Sequence, residues 1–265
     1  MSQHLSNIHP EAKIGNNVTI EPFATIHKNV VIGDGCWIGP NVVIWDGARI
    51  GKNVKIFPGA SISAVPQDLK FAGEETETFI GDNTVIREFV TISRGTSDKY
   101  KTVVGSNCLL MAYVHIAHDC IVGSHCILAN AVQLAGHVQI DDWAIIGGSS
   151  AVHQFVKVGA HVMVSGGSLV RKDIPPYTKA AREPLTYCGV NTIGLRRRGF
   201  DADKISEIQE IYRYIFLKGL NNSKALDLVE KELPTSHEKE NIVTFIRSSD
   251  RGIMKGFSTS TSSFE

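Results

Sequence analysis

The chain lacks any excess of one charge: 27 Lys and Arg stand against 27 Asp and Glu in 265 residues. A nucleic-acid or membrane-surface protein acting by bulk charge would carry an imbalance, so those classes are set aside. No apolar run approaches the roughly 20 residues that a membrane span needs. The opening stretch, MSQHLSNIHPEAKIG, has no basic segment followed by an apolar one, so no secretory signal is expected. The expectation is a cytoplasmic protein. Cysteine is scarce and odd in number, five in all with no CxxC pair, which argues against a zinc ribbon and a disulfide framework.

What the chain has instead is a period of six. Stepping from Ile8 to Val170, Ile, Leu or Val fills 25 of the 28 slots; only Asp68, Glu74 and Asp98 fall off the register. Gly often follows the aliphatic residue, as at Gly15, Gly33, Gly51, Gly105 and Gly123. A small or β-branched residue sits four places after it, as at Val18, Ala24, Val30 and Val42. Cys36, Cys108, Cys120 and Cys126 occupy that slot, which makes them small buried hydrophobes rather than ligands or redox thiols. A hexapeptide repeat of this length is the signature of a parallel β-helix. Each hexad supplies a short strand and a corner, and three hexads close one triangular coil. Coils stacked at a strand spacing of ~4.8 Å make a prism of about nine coils, roughly 43 Å long.

Two polar stretches, 63–79 and 94–102, interrupt the repeat and read as loops leaving the prism. Such loops on a rigid scaffold are favoured places for binding residues. After Val170 the repeat stops at Asp173-Ile174-Pro175-Pro176-Tyr177, and irregular chain is expected to about Gly199. A helical period follows, with Asp201, Ser223 and Ser236 as helix starts. The expected division is therefore a mainly β prism over 1–190 and a small helical domain over 191–265. The tail GFSTSTSSFE is of low complexity and is expected to be disordered.

Candidate chemistry lies in Leu110–Val138, which holds His115, His118, His125 and His137. From Val104 to Val170 the register is unbroken, so residues eighteen apart lie one above another. His118, His137 and His153 belong to hexads starting at Ile116, Leu134 and Val152, hence to one side of three successive coils. His115 borders that edge; His125 and His161 do not share it. An imidazole titrating near about 6.5 suits general-base work at neutral pH. Asp119 would orient the ring and stabilise its cation, provided the corner unites side chains that a strand would point apart. Gly136 lies above His118 and leaves its peptide N–H approachable, which suits an oxyanion. A base with a peptide N–H one coil above reads as an acyl-transfer site. Hydrogen-bonded corner histidines on a non-catalytic scaffold remain the plainer alternative.

The segments AVPQDLKFAGEET, IREFVTISRGT, HIAHDC, LANAVQLAGHV, AIIGGSSAVHQF, GAHVMV, DIPPY and GLRRRGF resemble the UDP-N-acetylglucosamine O-acyltransferases of lipid A biosynthesis, over nearly the whole chain. The resemblance implies a left-handed β-helix, an exception to the right-handed crossover rule. It implies transfer of an R-3-hydroxyacyl group from acyl carrier protein to the 3-OH of UDP-N-acetylglucosamine. It further implies a homotrimer with the site between two prisms, no metal, and no cofactor beyond the donor's phosphopantetheine. His118 would take the hydroxyl proton and return it to the leaving thiol, and the Gly136 N–H would hold the oxyanion. His115, Asp68, Lys70, His137, His153 and Gln154 match substrate-contacting positions, and Gln67 a position near the acyl 3-OH. Asn191 and Arg197 match residues near the nucleotide and diphosphate. Gly166 matches the position that limits acyl length, and a glycine there implies an open channel and a long chain. Ile193 departs from the family, standing where some members place an acidic contact to the sugar nucleotide.

Rival readings share the scaffold. The pathway's N-acyltransferase typically carries an extra N-terminal domain, for which a repeat beginning at Ile8 leaves no room. An acetyl-CoA-dependent acetyltransferase shares the hexads but lacks QDLK and HIAHDC. A γ-class carbonic anhydrase also mounts histidines on prism edges, though its ligand pattern does not resemble HIAHDC.

Overall fold

A computed structural model of the chain describes residues 5–256. Strands of mostly two residues, such as Asn7–Ile8, Lys13–Ile14 and Thr19–Ile20, recur along the repeat. They stack into three sheets of nine, eight and eleven strands. Consecutive hexads visit different sheets, and each strand pairs in parallel with the strand one coil on. Asn7 lies opposite Thr25, His115 opposite Gln133, and Gln133 opposite Ala151. This is the left-handed parallel β-helix, followed by a small helical region. The pattern follows from the hexad. The second residue of each strand points inward, so Ile38, Ile92, Leu110 and Leu134 are fully buried, and Cys36, Cys108, Cys120 and Cys126 lie in the same core.

Most corners are tight because one residue in each adopts a left-handed conformation. Asn17, Asn41, Asn53, Asn83 and Asn107 do so at φ between 54 and 57°, as a short polar side chain permits. Phe89, Tyr113, Asp119, His125, His137, Trp143, Phe155 and His161 do so as well. Stacking between coils offsets the strain for the rings. His125 lies 4.0 Å from Trp143, and His161 lies 5.5 Å from Tyr177. His125 therefore belongs to an aromatic column away from the histidine edge.

The two insertions occupy whole hexads, which is why the register survives them. Ser61 pairs with Thr91, and Glu77 with Lys101, instead of with residues eighteen positions on. Both loops are shorter than the expected 63–79 and 94–102. The strands Ser61–Ala64, Glu77–Ile80 and Lys101–Val104 run into them, because neighbouring coils offer backbone partners there. What leaves the prism is 65–76 and 94–100.

Beyond Val170, Thr178–Ala181 and Thr186–Val190 form an antiparallel hairpin on the third sheet, joined by Lys255–Gly256. Helix α1 (Thr192–Arg197) follows, capped by Asn191. Neither was expected from the sequence, since four to six residues are too few to display a period. α2 (Ala202–Leu217) and α4 (His237–Arg247) start at the expected caps, Asp201 and Ser236. α3 (Asn222–Glu232) starts earlier than expected, on Asn221 rather than Ser223, because Asn-Asn-Ser offers several competent caps. The helices enclose a second core around Ile208, Tyr212, Val229 and Ile242, which also takes in Tyr177 and Val190. The expected disorder of the tail concerns residues that, from 257 on, lie outside those described. Among the described residues no helix is long and apolar enough to cross a membrane.

Candidate active site

His118 and Asp119 follow the inward Ile116 and form a corner. Asp119 takes φ 60°, and this left-handed turn brings its carboxylate back to its neighbour. His118 Nδ1 and Asp119 Oδ2 are 2.8 Å apart. His118 is 8% exposed and Asp119 is fully buried. The Asp119 carboxylate also accepts the Thr96 N–H at 3.0 Å, the Thr96 hydroxyl at 2.6 Å and the Lys99 N–H at 3.3 Å. Burial acts to raise this carboxyl group's pKa, but the bonds from Thr96 and His118 outweigh it and hold it below the usual carboxylate range. An ionised carboxylate only accepts. Nδ1 therefore carries a proton, so in the neutral ring the lone pair is on Nε2; Asp68 Oδ2 lies 3.9 Å from Nε2.

Gly136 lies directly over the ring. A Cβ at this position would fall 2.7 Å from His118 Cε1 and 2.8 Å from Nε2, so only glycine fits without moving the imidazole. On the prism edge after the second sheet, several amides at the same place in the hexad are capped from the coil above. Asn16 N–H donates to Asp34 at 2.8 Å, Lys52 N–H to Asp82 at 2.7 Å, and Ser124 N–H to Asp142 at 2.7 Å. The Gly136 N–H has no acceptor among the described residues. It is a preorganised donor beside a base.

A cleft of about 500 Å³ gathers Gln67, Asp68, Lys70, His115, His118, Gly136 and Gln154. The polar loop 65–76 supplies the first three. His115 Nδ1 lies 2.7 Å from the Thr91 hydroxyl; burial first, then nearby His118, lowers its pKa, which keeps the ring neutral. His137 stands edge-on to His118 at 5.1 Å, with Nε2 3.8 Å from Asp119 and Nδ1 3.1 Å from Asp98. Burial lowers its pKa against the pull of Asp119. It lines an adjoining recess with Asp68, Lys70 and Gln154. His153 borders a separate groove over the first sheet, with His115, Gln133, Ala151 and Leu169.

Three expected site residues stand elsewhere. Asn191 caps α1 and its amide donates to the His161 carbonyl at 2.9 Å, at the corner after the second sheet. Arg197 lies in the last turn of that helix. Gly166 sits at the corner after the third sheet, over the Gly148 carbonyl. Sequence reasoning missed Thr91, Thr96 and Asp98. The last two sit in an insertion whose partners the repeat does not specify; the one signal was that Asp98 breaks the register.

His118, Asp119 and His137 also bring three potential metal ligands within 4.8 Å of one another. The donor set fits a metal poorly. Both Asp119 oxygens already accept hydrogen bonds, and His118 Nδ1 is committed to one of them.

A carboxylate-oriented imidazole beneath an uncapped peptide N–H, on a hexapeptide prism, defines a hexapeptide-repeat acyltransferase. The comparisons narrow this class. A model described as UDP N-acetylglucosamine O-acyltransferase, domain 2, matches residues 173–254, and the bacterial transferase hexapeptide model matches 29–64 and 101–136. The acyl-(acyl-carrier-protein)–UDP-N-acetylglucosamine O-acyltransferase of Aquifex aeolicus is 61% identical over 195 residues, 73% of this chain and 75% of that protein. Its Chlorobaculum parvum counterpart is 60% identical over 192 residues, 72% and 73% of the two chains. The crystal structure of the UDP-N-acetylglucosamine acyltransferase from Bacteroides fragilis matches with a TM-score of 0.94 at 54% identity, covering 96% of this chain and 100% of that one. The chain belongs to the acyl-(acyl-carrier-protein)–UDP-N-acetylglucosamine O-acyltransferase family.

Proposed function

We propose that the chain transfers an R-3-hydroxyacyl group from acyl carrier protein to the 3-OH of UDP-N-acetylglucosamine, the first step of lipid A biosynthesis, with His118 as general base. The observation that carries the base assignment is the His118–Asp119 pair beneath the uncapped Gly136 N–H. Nε2 takes the hydroxyl proton as the sugar oxygen attacks the thioester carbonyl. The imidazolium so formed is stabilised by Asp119. The tetrahedral oxyanion accepts the Gly136 N–H. Collapse breaks the carbon–sulfur bond, and His118 returns its proton to the departing phosphopantetheine thiol. No other cofactor is required.

Gln67, Asp68, Lys70, His115, His137, His153 and Gln154 contact the substrates in this reading. The active unit is a homotrimer in the cytoplasm, with the site between two prisms. What supports the trimer is that Asn191 and Arg197 stand at a different corner from His118, so the two sets would face each other only across two chains. Gly166 leaves room for a long acyl chain. The boundary between prism and helical domain is assigned at 190/191.

The test is His118→Ala, assayed with 3-hydroxyacyl carrier protein and UDP-N-acetylglucosamine. Loss of a general base is expected to cost about 10²–10⁴-fold in turnover with the trimer still folded. Near-wild-type turnover would overturn the assignment.

A further inference from the structure

The repeat explains where Asp119 stands but not what aims its carboxylate. Two imidazoles compete for the same oxygen, Oδ2: His118 Nδ1 at 2.8 Å and His137 Nε2 at 3.8 Å. Rotation of the carboxylate toward His137 would release His118. Thr96, from the 94–100 insertion and buried, opposes that rotation by holding both oxygens. Its N–H reaches Oδ1 at 3.0 Å and its hydroxyl reaches Oδ2 at 2.6 Å. The same hydroxyl oxygen accepts the Asp98 N–H at 3.3 Å, so its proton is free to point at Asp119.

The insertion is itself braced. Ser97 N–H donates to one Glu74 oxygen at 3.0 Å, while Ala72 N–H donates to the other at 2.8 Å. Arg94 lies over the Phe71 ring, 5.4 Å from its centre. The loop carrying Thr96 is thus tied to the loop carrying Asp68, and between them they address both ends of the His118 ring.

We propose that Thr96 is a positioning residue for acyl transfer: its hydroxyl directs the Asp119 carboxylate to His118 rather than His137, and so fixes the tautomer and aim of the base. The proposal rests on the reading of His118 as base. Other charged groups facing this cluster are Asp68 toward His118 and Asp98 toward His137.

The experiment is steady-state kinetics on Thr96→Val, Thr96→Ser and Asp119→Asn, with Thr96→Val also made in the Asp119→Asn background. Thr96→Val is expected to lower kcat by about 10- to 100-fold through misaim of the base, with KM for both substrates within about twofold. Thr96→Ser, which keeps the hydroxyl, should restore kcat to within about threefold of wild type. Once Asp119 has become Asn, adding Thr96→Val should cost less than about threefold more, since contacting residues are not additive. A purely structural Thr96 would give full additivity and no rescue by Ser, and either result overturns the proposal. Unchanged kcat in Thr96→Val with inactive His118→Ala overturns it alone; full activity in both overturns the base assignment beneath it. Should Thr96→Val unfold early in a thermal melt, Thr96→Ala removes the hydroxyl without adding bulk and carries the same expectations.

Discussion

At the corner after the second sheet, the amides of Asn16, Lys52 and Ser124 each donate to a carboxylate from the coil above. At the corner after the first sheet, the corresponding amide belongs to Gly136; it has no acceptor among the described residues and overlies the His118 ring. The backbone frame is the same in both. A corner amide already tied to a carboxylate has nothing left to offer a reacting atom. A corner with one donor unpaired and a base beneath it is a site. The repeat thus supplies a rigid position, and function enters where a glycine lets an imidazole lie beneath a free peptide N–H.

The sharpest way to break this comparison is to put a methyl group at the uncapped corner. Gly136→Ala would bring a Cβ to 2.7 Å from His118 Cε1, so the ring must turn away from the amide it works with. Turnover is expected to fall about 10²–10³-fold, the usual effect of losing an oxyanion donor. The melting temperature should change little, because the cleft gives the ring room to move. A loss of fold in place of turnover would show that this corner, too, is scaffold.

The contrast also separates what the sequence makes legible from what it hides. Aliphatic residues at every sixth position disclose the prism, and the unbroken register from Val104 discloses Gly136 over His118. The His118–Asp119 contact was only conditionally legible, since it needs the left-handed Asp119 at φ 60°. Thr96 was hidden because Asp119 lies 23 residues away across an insertion, where no period relates the two. Hidden too was the local role of Asn191, whose side chain caps α1 and bonds the His161 carbonyl. A six-residue helix leaves no amphipathic trace from which that role could be read.

A second comparison sets His137 against His161. Both occupy left-handed corners, at φ 62° and 60°, and both stack on an aromatic ring, Phe155 and Tyr177. His137 faces two carboxylates; His161 Nδ1 faces the Arg198 guanidinium at 3.3 Å. Burial first, then Arg198, lowers the His161 pKa to about 4. In the unfolded chain the ring titrates near about 6.5. As pH falls from there toward 4, the unfolded chain takes up a proton that the folded chain refuses. The stability tied to a neutral His161 is therefore complete above pH 6.5 and is lost through that window. Allowing for its partial exposure, the loss is of order 1 kcal/mol. Melting at pH 7.5 and pH 5 should show a smaller acid-induced drop for His161→Gln than for wild type; equal drops would exclude this ring as a source.

The smallest expected effect tests the capped corner. Asp82→Ala removes the acceptor of the Lys52 amide, a bond of 2.7 Å. Water can replace it at this exposed site, so the cost should be no more than about 1 kcal/mol, or roughly 2–4 °C in melting temperature for a chain of this size. Turnover should stay at the wild-type level, because the bond lies on a different prism edge from His118. A fall in kcat without a matching fall in stability would mean that the capped corners communicate with the base, and that scaffold and site are not separable along this prism.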